Sequence, residues 1–160
     1  MSPRAAWRLE SLGFTEVYDY VAGEADWLAM GLPSEGRDAG QLRAGRVARQ
    51  DVPTCNLDEP LGDVRRRVRN VGWDVCIGVN AGRVVLGRVR GTAWGGPDDA
   101  LVEDVMDAGP TTVRPNESLA ALTERMQGHG SRSVLVTTSD GRLVGLLERA
   151  DAERALAQGG

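Results

Sequence analysis

The stretch GRLVGLLERADAERAL, residues 141–156, changes from strand-like to helix-like composition within a few positions. Its first half is apolar and follows a glycine turn, which predicts a buried strand. From Ala150 onward the composition favours a helix, with Asp151 in the first turn. Two roles are open to this carboxylate behind Arg149: it caps the helix, or it holds the hydroxyl groups of a ligand.

The same pattern occurs earlier, because the chain contains an internal repeat. Residues 54–93 align with residues 112–152 when one residue is inserted near Asp140. This alignment places Thr92 on Asp151. We expect a first repeat over residues 40–96 and a second over residues 97–158.

Each repeat has the pattern of a β-α-β-β-α unit. An amphipathic helix follows a turn, and two strands joined by a glycine turn come next. The apolar faces of the two helices are Leu61, Val64, Val68 and Val71 in the first repeat, and Leu119, Leu122 and Met126 in the second. A final helix closes only the second repeat, because Gly95, Gly96 and Pro97 stop it in the first. Neither unit can bury a core alone, so the expected fold is α/β (α+β), with the two units paired about a pseudo-two-fold axis.

The two repeats together resemble a tandem pair of cystathionine-β-synthase (CBS) domains, the Bateman module. The resemblance is clearest in the second repeat, in VEDVMDAGPTTVRPNESLAALTERM (102–126) and SVLVTTSDGRLVGLLERAD (133–151). It implies an adenosine-containing ligand, such as AMP, ADP, ATP or S-adenosylmethionine, bound between the repeats. It also implies a regulatory role exercised through a partner protein.

The resemblance further implies particular contacts. The family's usual motif is a strand-end glycine followed by Ser/Thr-x-x-Asp, in which the aspartate takes the ribose hydroxyls. Here Gly145 and Asp151 match, but Glu148 stands at the Ser/Thr position and would repel phosphates unless paired with Arg149 or Arg132. We therefore expect at most one nucleotide per chain, AMP above all, and no required cofactor. The expected ligand-binding residues are Thr112, Val113, Arg132, Ser133, Val134, Glu148, Arg149 and Asp151.

A second interpretation stays open beside this one. Aspartate in a first helical turn is favoured by the helix dipole whether or not a ligand binds. Arginines in such a pattern, here Arg132 and Arg149, are more often solvated surface residues than phosphate contacts. The alternative function is therefore a homodimeric interaction or scaffold protein with degenerate nucleotide sites.

The first 36 residues lie outside the repeats. SPRAAWRLESLGFTEVYDYVAGEADWLAMGLP (2–33) predicts a helix, a strand in EVYDYV and a second helix. It resembles the C-terminal third of a rhodanese domain without the catalytic cysteine, since Cys55 and Cys76 fall in the first CBS repeat. We expect no enzyme activity. Its apolar side chains are predicted to dock on the CBS pair or on a second chain; they are Trp7, Leu9, Leu12, Phe14, Trp27 and Leu28.

Composition narrows the remaining classes. The 160 residues are 41% hydrophobic with a net charge of −4, which argues for a packed interior and against a nucleic-acid or membrane-surface binder. No signal peptide or membrane-spanning run is apparent, so a cytoplasmic location is expected. A homodimer is expected for a different reason, because the N-terminal segment adds apolar surface and paired CBS modules resemble discs that stack. The lone His129 lies between glycines, and we expect no metal site.

Overall fold

The computed structural model describes residues 3–18, 27 and 40–158. The helices in these ranges are α1 (Pro3–Ser11), α2 (Ala44–Val47), α3 (Leu61–Asn70), α4 (Val102–Val105), α5 (Leu119–Gly128) and α6 (Arg149–Gln158), with a 3-10 helix at Gly91–Gly95. The strands are β1 (Thr54–Cys55), β2 (Val75–Val79), β3 (Val85–Arg90), β4 (Asp107–Ala108), β5 (Thr112–Val113), β6 (Ser133–Thr137) and β7 (Leu143–Glu148).

The strands form two small sheets, which confirms the predicted mixed α+β fold. The first sheet has the order β1-β2-β3-β4 and the second the order β5-β6-β7. In each repeat a short strand runs parallel to the next one, which then forms an antiparallel hairpin with the third. The fourth strand of the first sheet, β4, comes from the segment that leads into the second repeat.

The repeats are related by a constant shift in sequence. Thr54 pairs with Ile77 and Thr112 pairs with Leu135, so both partners move by 58 positions (54 to 112, 77 to 135). The hairpins meet at an antiparallel bridge between Val84 and Arg142, which are counterparts under the same shift (84 to 142). A residue that pairs antiparallel with its own counterpart indicates a local two-fold between the repeats.

This constant shift corrects the alignment made from the sequence: there is no inserted residue near Asp140. The glycine of the second hairpin, Gly141, has φ 84°, and its counterpart is Arg83 with φ 60°. A non-glycine residue in the left-handed region is uncommon, so the sequence alignment moved a neighbouring glycine onto Gly141. The counterpart of Asp151 is consequently Ala93 (93 to 151) and not Thr92.

The segment leading into each repeat packs into the core of the other repeat. Helix α2 packs against β7 and α6, and Ala44 and Ala48 belong to the second core. Val102 of α4 belongs to the first core, together with Leu135 of the second repeat. Since each core contains side chains from both sequence repeats, neither repeat has a complete core alone.

Gly145 allows one of these lead-in segments to pass close to β7. The segment after α2 runs antiparallel to β7, with reciprocal backbone hydrogen bonds between Arg49 and Leu146 of 2.8 and 3.0 Å. A Cβ atom on Gly145 would lie 2.6 Å from the Arg49 carbonyl oxygen. The strand-end glycine of the family motif is therefore required here by the close approach of another backbone.

Two predictions of apolar packing differ from the structure. Helix α3 ends at Asn70, so Val71 lies past the buried face and is 60% exposed. Trp7, Leu12 and Phe14 are 67, 60 and 60% exposed, so the two repeats of the same chain do not bury them. Docking on a second chain stays a prediction, and Leu28 lies outside the described residues.

The N-terminal segment matches the sequence prediction in its first helix. Helix α1 spans Pro3–Ser11, and Trp27 is helical as predicted. The predicted strand in EVYDYV is described only over residues 16–18, which pair with no other strand in the described ranges. The rhodanese resemblance itself stays a prediction.

Candidate functional site

A cleft of about 840 Å³ lies between the two repeats. Its lining includes four pairs of counterpart residues, in which the first member comes from the first repeat and the second from the second repeat. The pairs are Asp74 and Arg132, Val75 and Ser133, Arg88 and Leu146, and Arg90 and Glu148. The cleft therefore lies across the local two-fold. It extends toward the first repeat, where its lining continues through Gly91, Thr92, Ala93, Gly96, Val105 and Asp107.

The charges that line the cleft are balanced in number. Guanidinium groups come from Arg88, Arg90 and Arg132, and carboxylates come from Asp74, Asp107 and Glu148. Two of the counterpart pairs carry opposite charges. Asp74 corresponds to Arg132, and Arg90 corresponds to Glu148. The two ends of the interface are consequently different chemical environments.

Only some of these charges have partners. Arg90 Nε donates to Asp107 Oδ2 at 3.2 Å. In the part of the chain that the structure describes, the guanidinium groups of Arg88 and Arg132 form no hydrogen bond or ion pair. The Nε atom of Arg88 is buried as well as unpartnered. Burial lowers the pKa of Arg88, the positive charge of Arg90 lowers it further, and Asp107 acts in the opposite direction.

The sequence predicted three of the lining residues. Arg132, Ser133 and Glu148 line the cleft. Among the other predicted site residues, Val113 and Val134 are buried in the second core, and Thr112 is exposed on β5. Arg149 and Asp151, which begin α6, are also not among the residues that line the cleft.

Asp151 forms an ion pair within its own helix. Its Oδ1 atom lies 3.0 Å from a terminal nitrogen of Arg154, and the Asp151 side chain is 21% exposed. Among the described residues, its carboxylate accepts no hydrogen bond from a backbone N–H group of the first turn. A ligand hydroxyl at Asp151 would therefore compete with Arg154.

Arg149 does not neutralise Glu148. Its Nε atom lies 3.5 Å from Glu153, one turn further along α6. Arg49 lies within reach of the charges of both Glu148 and Asp151. The pKa of Arg49 is raised by its hydrogen bonds to Asp51 and by the charges of Asp51, Glu148 and Asp151, although desolvation opposes these effects.

Sequence reasoning missed Arg49. Its guanidinium donates to Asp51 at 2.8 and 3.2 Å and lies 3.9 Å from the centroid of the Trp73 ring. The signal was present in the constant shift, since the counterpart of Arg49 is Asp107 (49 to 107), which lines the cleft. Arg49 and Asp107 lie just before the aligned ranges 54–93 and 112–152, so that alignment did not include them.

Other chemistries have little support within the described ranges. No group of three His, Cys, Asp or Glu side chains there could hold a metal ion. His129 caps the C-terminus of α5, with Nδ1 2.8 Å from the Arg125 carbonyl oxygen. Cys55 and Cys76 are 3 and 0% exposed. None of the described helices has the length and apolar content needed to cross a membrane.

Comparison with known proteins identifies the repeat unit. The CBS domain family model matches residues 102–158. No curated protein sequence matches the chain significantly.

Solved structures share the fold across both repeats. The cytosolic domain of the Mg²⁺ channel MgtE in complex with ATP is 16% identical, with a TM-score of 0.64 over 71% of this chain and 48% of that chain. CBSX2 in complex with AMP is 19% identical, with a TM-score of 0.65 over 72% of this chain and 96% of that one. The CBS domain pair of protein MJ0100, in complex with 5′-methylthioadenosine and S-adenosyl-L-methionine, is 12% identical, with a TM-score of 0.63 over 75% of this chain and 99% of that one.

The chain spans about half the length of the MgtE domain that it matches, 48%. The CBS domain family model thus matches the second repeat, and the two repeats together share the fold of solved CBS-pair structures.

Proposed function

We propose that this protein is a regulatory module that binds an adenosine-containing ligand between its two CBS repeats and reports the bound state to a partner protein. The observation that carries the proposal is the cleft across the local two-fold, which contains the unpartnered guanidinium groups of Arg88 and Arg132. Support also comes from the CBS-pair structures of the same fold, which are complexes with ATP, AMP or S-adenosylmethionine.

The cleft offers both kinds of surface that a nucleotide needs. Val75, Ala93 and Val105 give an apolar wall against which a base can lie. The guanidinium groups can take an anionic group through charge-assisted hydrogen bonds. Asp151 stays the predicted ribose contact, although it lies outside the lining of the cleft and forms an ion pair with Arg154, so this contact needs both a ligand that reaches α6 and an opened ion pair.

The balance of charge sets the expected preference among nucleotides. Asp74, Asp107 and Glu148 would repel each phosphate beyond those held by the arginines. We therefore propose that AMP or adenosine binds at least as well as ATP, and that a chain takes up one nucleotide. A site with a large excess of positive charge would show the opposite order.

Transmission of binding to a partner has a structural basis in the exchanged lead-in segments. A ligand between the repeats contacts β3 and β7, and the segments after α2 and α4 are bonded to those strands. A change in the spacing of the repeats would therefore move both lead-in segments together.

The decisive experiment is isothermal titration calorimetry of the full chain with adenosine, AMP, ADP, ATP and S-adenosylmethionine. We expect saturable binding of at least one of these ligands, with a stoichiometry near one per chain and no advantage for ATP. If none of them binds and none raises the thermal unfolding midpoint, the regulatory proposal is wrong.

A scaffold function is the second candidate. It is favoured by Ala93 and Glu148, which depart from the family motif, and by the exposed apolar side chains of Trp7, Leu12 and Phe14. In this version the protein is a cytoplasmic homodimer without enzyme activity, and its rhodanese-like segment supplies the contact surface. Absence of ligand binding together with a stable dimer would select it.

A further inference from the structure

Arg88 occupies a position where the other repeat has an apolar core residue. It lies on β3, opposite Asp107 of β4 in the sheet. Its counterpart is Leu146 (88 to 146), which is 2% exposed and packs in the first core. Since leucine satisfies the fold at this position in one repeat, the fold does not require an arginine there.

The surroundings of Arg88 are unfavourable for an arginine in the absence of a ligand. Its Nε atom is buried without a hydrogen-bond partner, and removal of such a donor from water costs free energy that nothing in the described structure returns. The opposite carboxylate, Asp107, is already bonded to Arg90 at 3.2 Å. The Asp107 carboxylate is therefore already occupied by Arg90 and does not bond to Arg88.

An anionic ligand group would remove this imbalance. It would accept hydrogen bonds from the Arg88 guanidinium, which lines the cleft, and neutralise the excess positive charge beside Asp107. More than one such group would meet Asp74 and Glu148, which line the same cleft. The geometry therefore favours a ligand whose negative charge is compact.

We propose that Arg88 is the anchor for one compact anionic group, a single phosphate or a carboxylate, on the ligand of the inter-repeat cleft. This inference rests on the proposed function and names the residue that discriminates among adenosine-containing ligands. Adenosine has no such group, AMP has a phosphate and S-adenosylmethionine has a carboxylate.

The test is Arg88→Leu, which copies the residue at the counterpart position. The matched control is Arg69→Leu, which removes one positive charge from the exposed surface of α3. Calorimetry should show at least a roughly tenfold loss of AMP affinity for Arg88→Leu and a change within about twofold for adenosine. The control should leave both affinities unchanged. S-adenosylmethionine should follow AMP if its carboxylate is the group that is held.

Thermal unfolding of the ligand-free protein separates an anchor from a structural residue. Arg88→Leu removes a buried donor without a partner, so its unfolding midpoint should equal or exceed that of the wild type. A lower midpoint with equal losses for AMP and adenosine would indicate a packing role and overturn the inference.

The remaining outcomes separate the anchor from the proposed function. If AMP binds wild type and Arg88→Leu equally, the anchor is wrong and the nucleotide-binding function stands. If no adenosine-containing compound binds the wild type, the function is wrong, and inorganic phosphate then tests the anchor alone. Phosphate should stabilise the wild type more than Arg88→Leu, and equal stabilisation would overturn it.

Discussion

Replacement of Gly145 by alanine tests whether the exchanged lead-in segment holds the two repeats together. The new Cβ atom would lie 2.6 Å from the Arg49 carbonyl oxygen and 3.2 Å from the Ala48 Cβ atom. The nearest atom belongs to backbone, which cannot rotate away, so the segment must move from β7. This movement would break the two hydrogen bonds between Arg49 and Leu146.

We expect Gly145→Ala to lower the free energy of unfolding by about 2 kcal/mol, in the range of overpacked cores, and the thermal midpoint by roughly 4–8 °C. The measurement is chemical and thermal unfolding followed by circular dichroism. Gly128→Ala is the matched control, because Gly128 ends α5 and a Cβ atom there would meet nothing within 4 Å. The control should leave stability unchanged or slightly higher. If the two variants unfold alike, the close approach at Gly145 does not contribute to stability as argued.

Three other predictions follow from the site and the N-terminal segment. Asp151→Ala should lower the affinity for an adenosine-containing ligand about tenfold or more, because charged hydrogen bonds contribute roughly 1.5–3 kcal/mol. Glu148→Thr should improve the affinity for ATP more than that for the other ligands. If calorimetry shows that neither variant changes binding, Asp151 serves only to stabilise its helix. Light scattering should give the mass of a dimer at tens of micromolar protein, and deletion of residues 1–36 should lower the fraction of dimer, because Trp7, Leu12 and Phe14 are exposed in the single chain. A monomer mass for the full chain would contradict this prediction. A thiosulfate sulfurtransferase assay should show no turnover, because Cys55 and Cys76 are buried; turnover that disappears in Cys55→Ser or Cys76→Ser would show otherwise.

The sequence predicts the elements of this fold better than their pairing. Leu61, Val64 and Val68 have helical spacing, and all three are buried on α3. The exchange of lead-in segments was beyond such reasoning, because α2 and α4 each span one turn and have no readable period. Their partners lie in the other repeat, and local sequence patterns do not report contacts at that separation.

The candidate site was predicted in part for a related reason. Glu148, Arg132 and Ser133 were found because the resemblance names positions at strand ends. Arg88 was missed because an arginine in a strand is ordinarily assigned to the solvated face. Arg88 stands out only when it is compared with its counterpart Leu146. That comparison requires the constant shift of 58 positions, which the sequence alignment lost because Arg83, and not a glycine, occupies the position with positive φ.

The exchange of charge between counterpart positions argues that the repeats have separate roles in binding. Two copies of one ligand site, related by a two-fold, would present the same charges to each ligand. Here Asp74 corresponds to Arg132 and Arg90 corresponds to Glu148, so a ligand turned end over end would meet inverted charges. A ligand of mixed or compact charge in this cleft would therefore bind in one orientation, and Arg88, whose Nε atom has no partner among the described residues, lies on the side of the first repeat. Asp151, the aspartate of the family motif, therefore lies in the second repeat, whereas the arginine with the buried unpartnered nitrogen lies in the first.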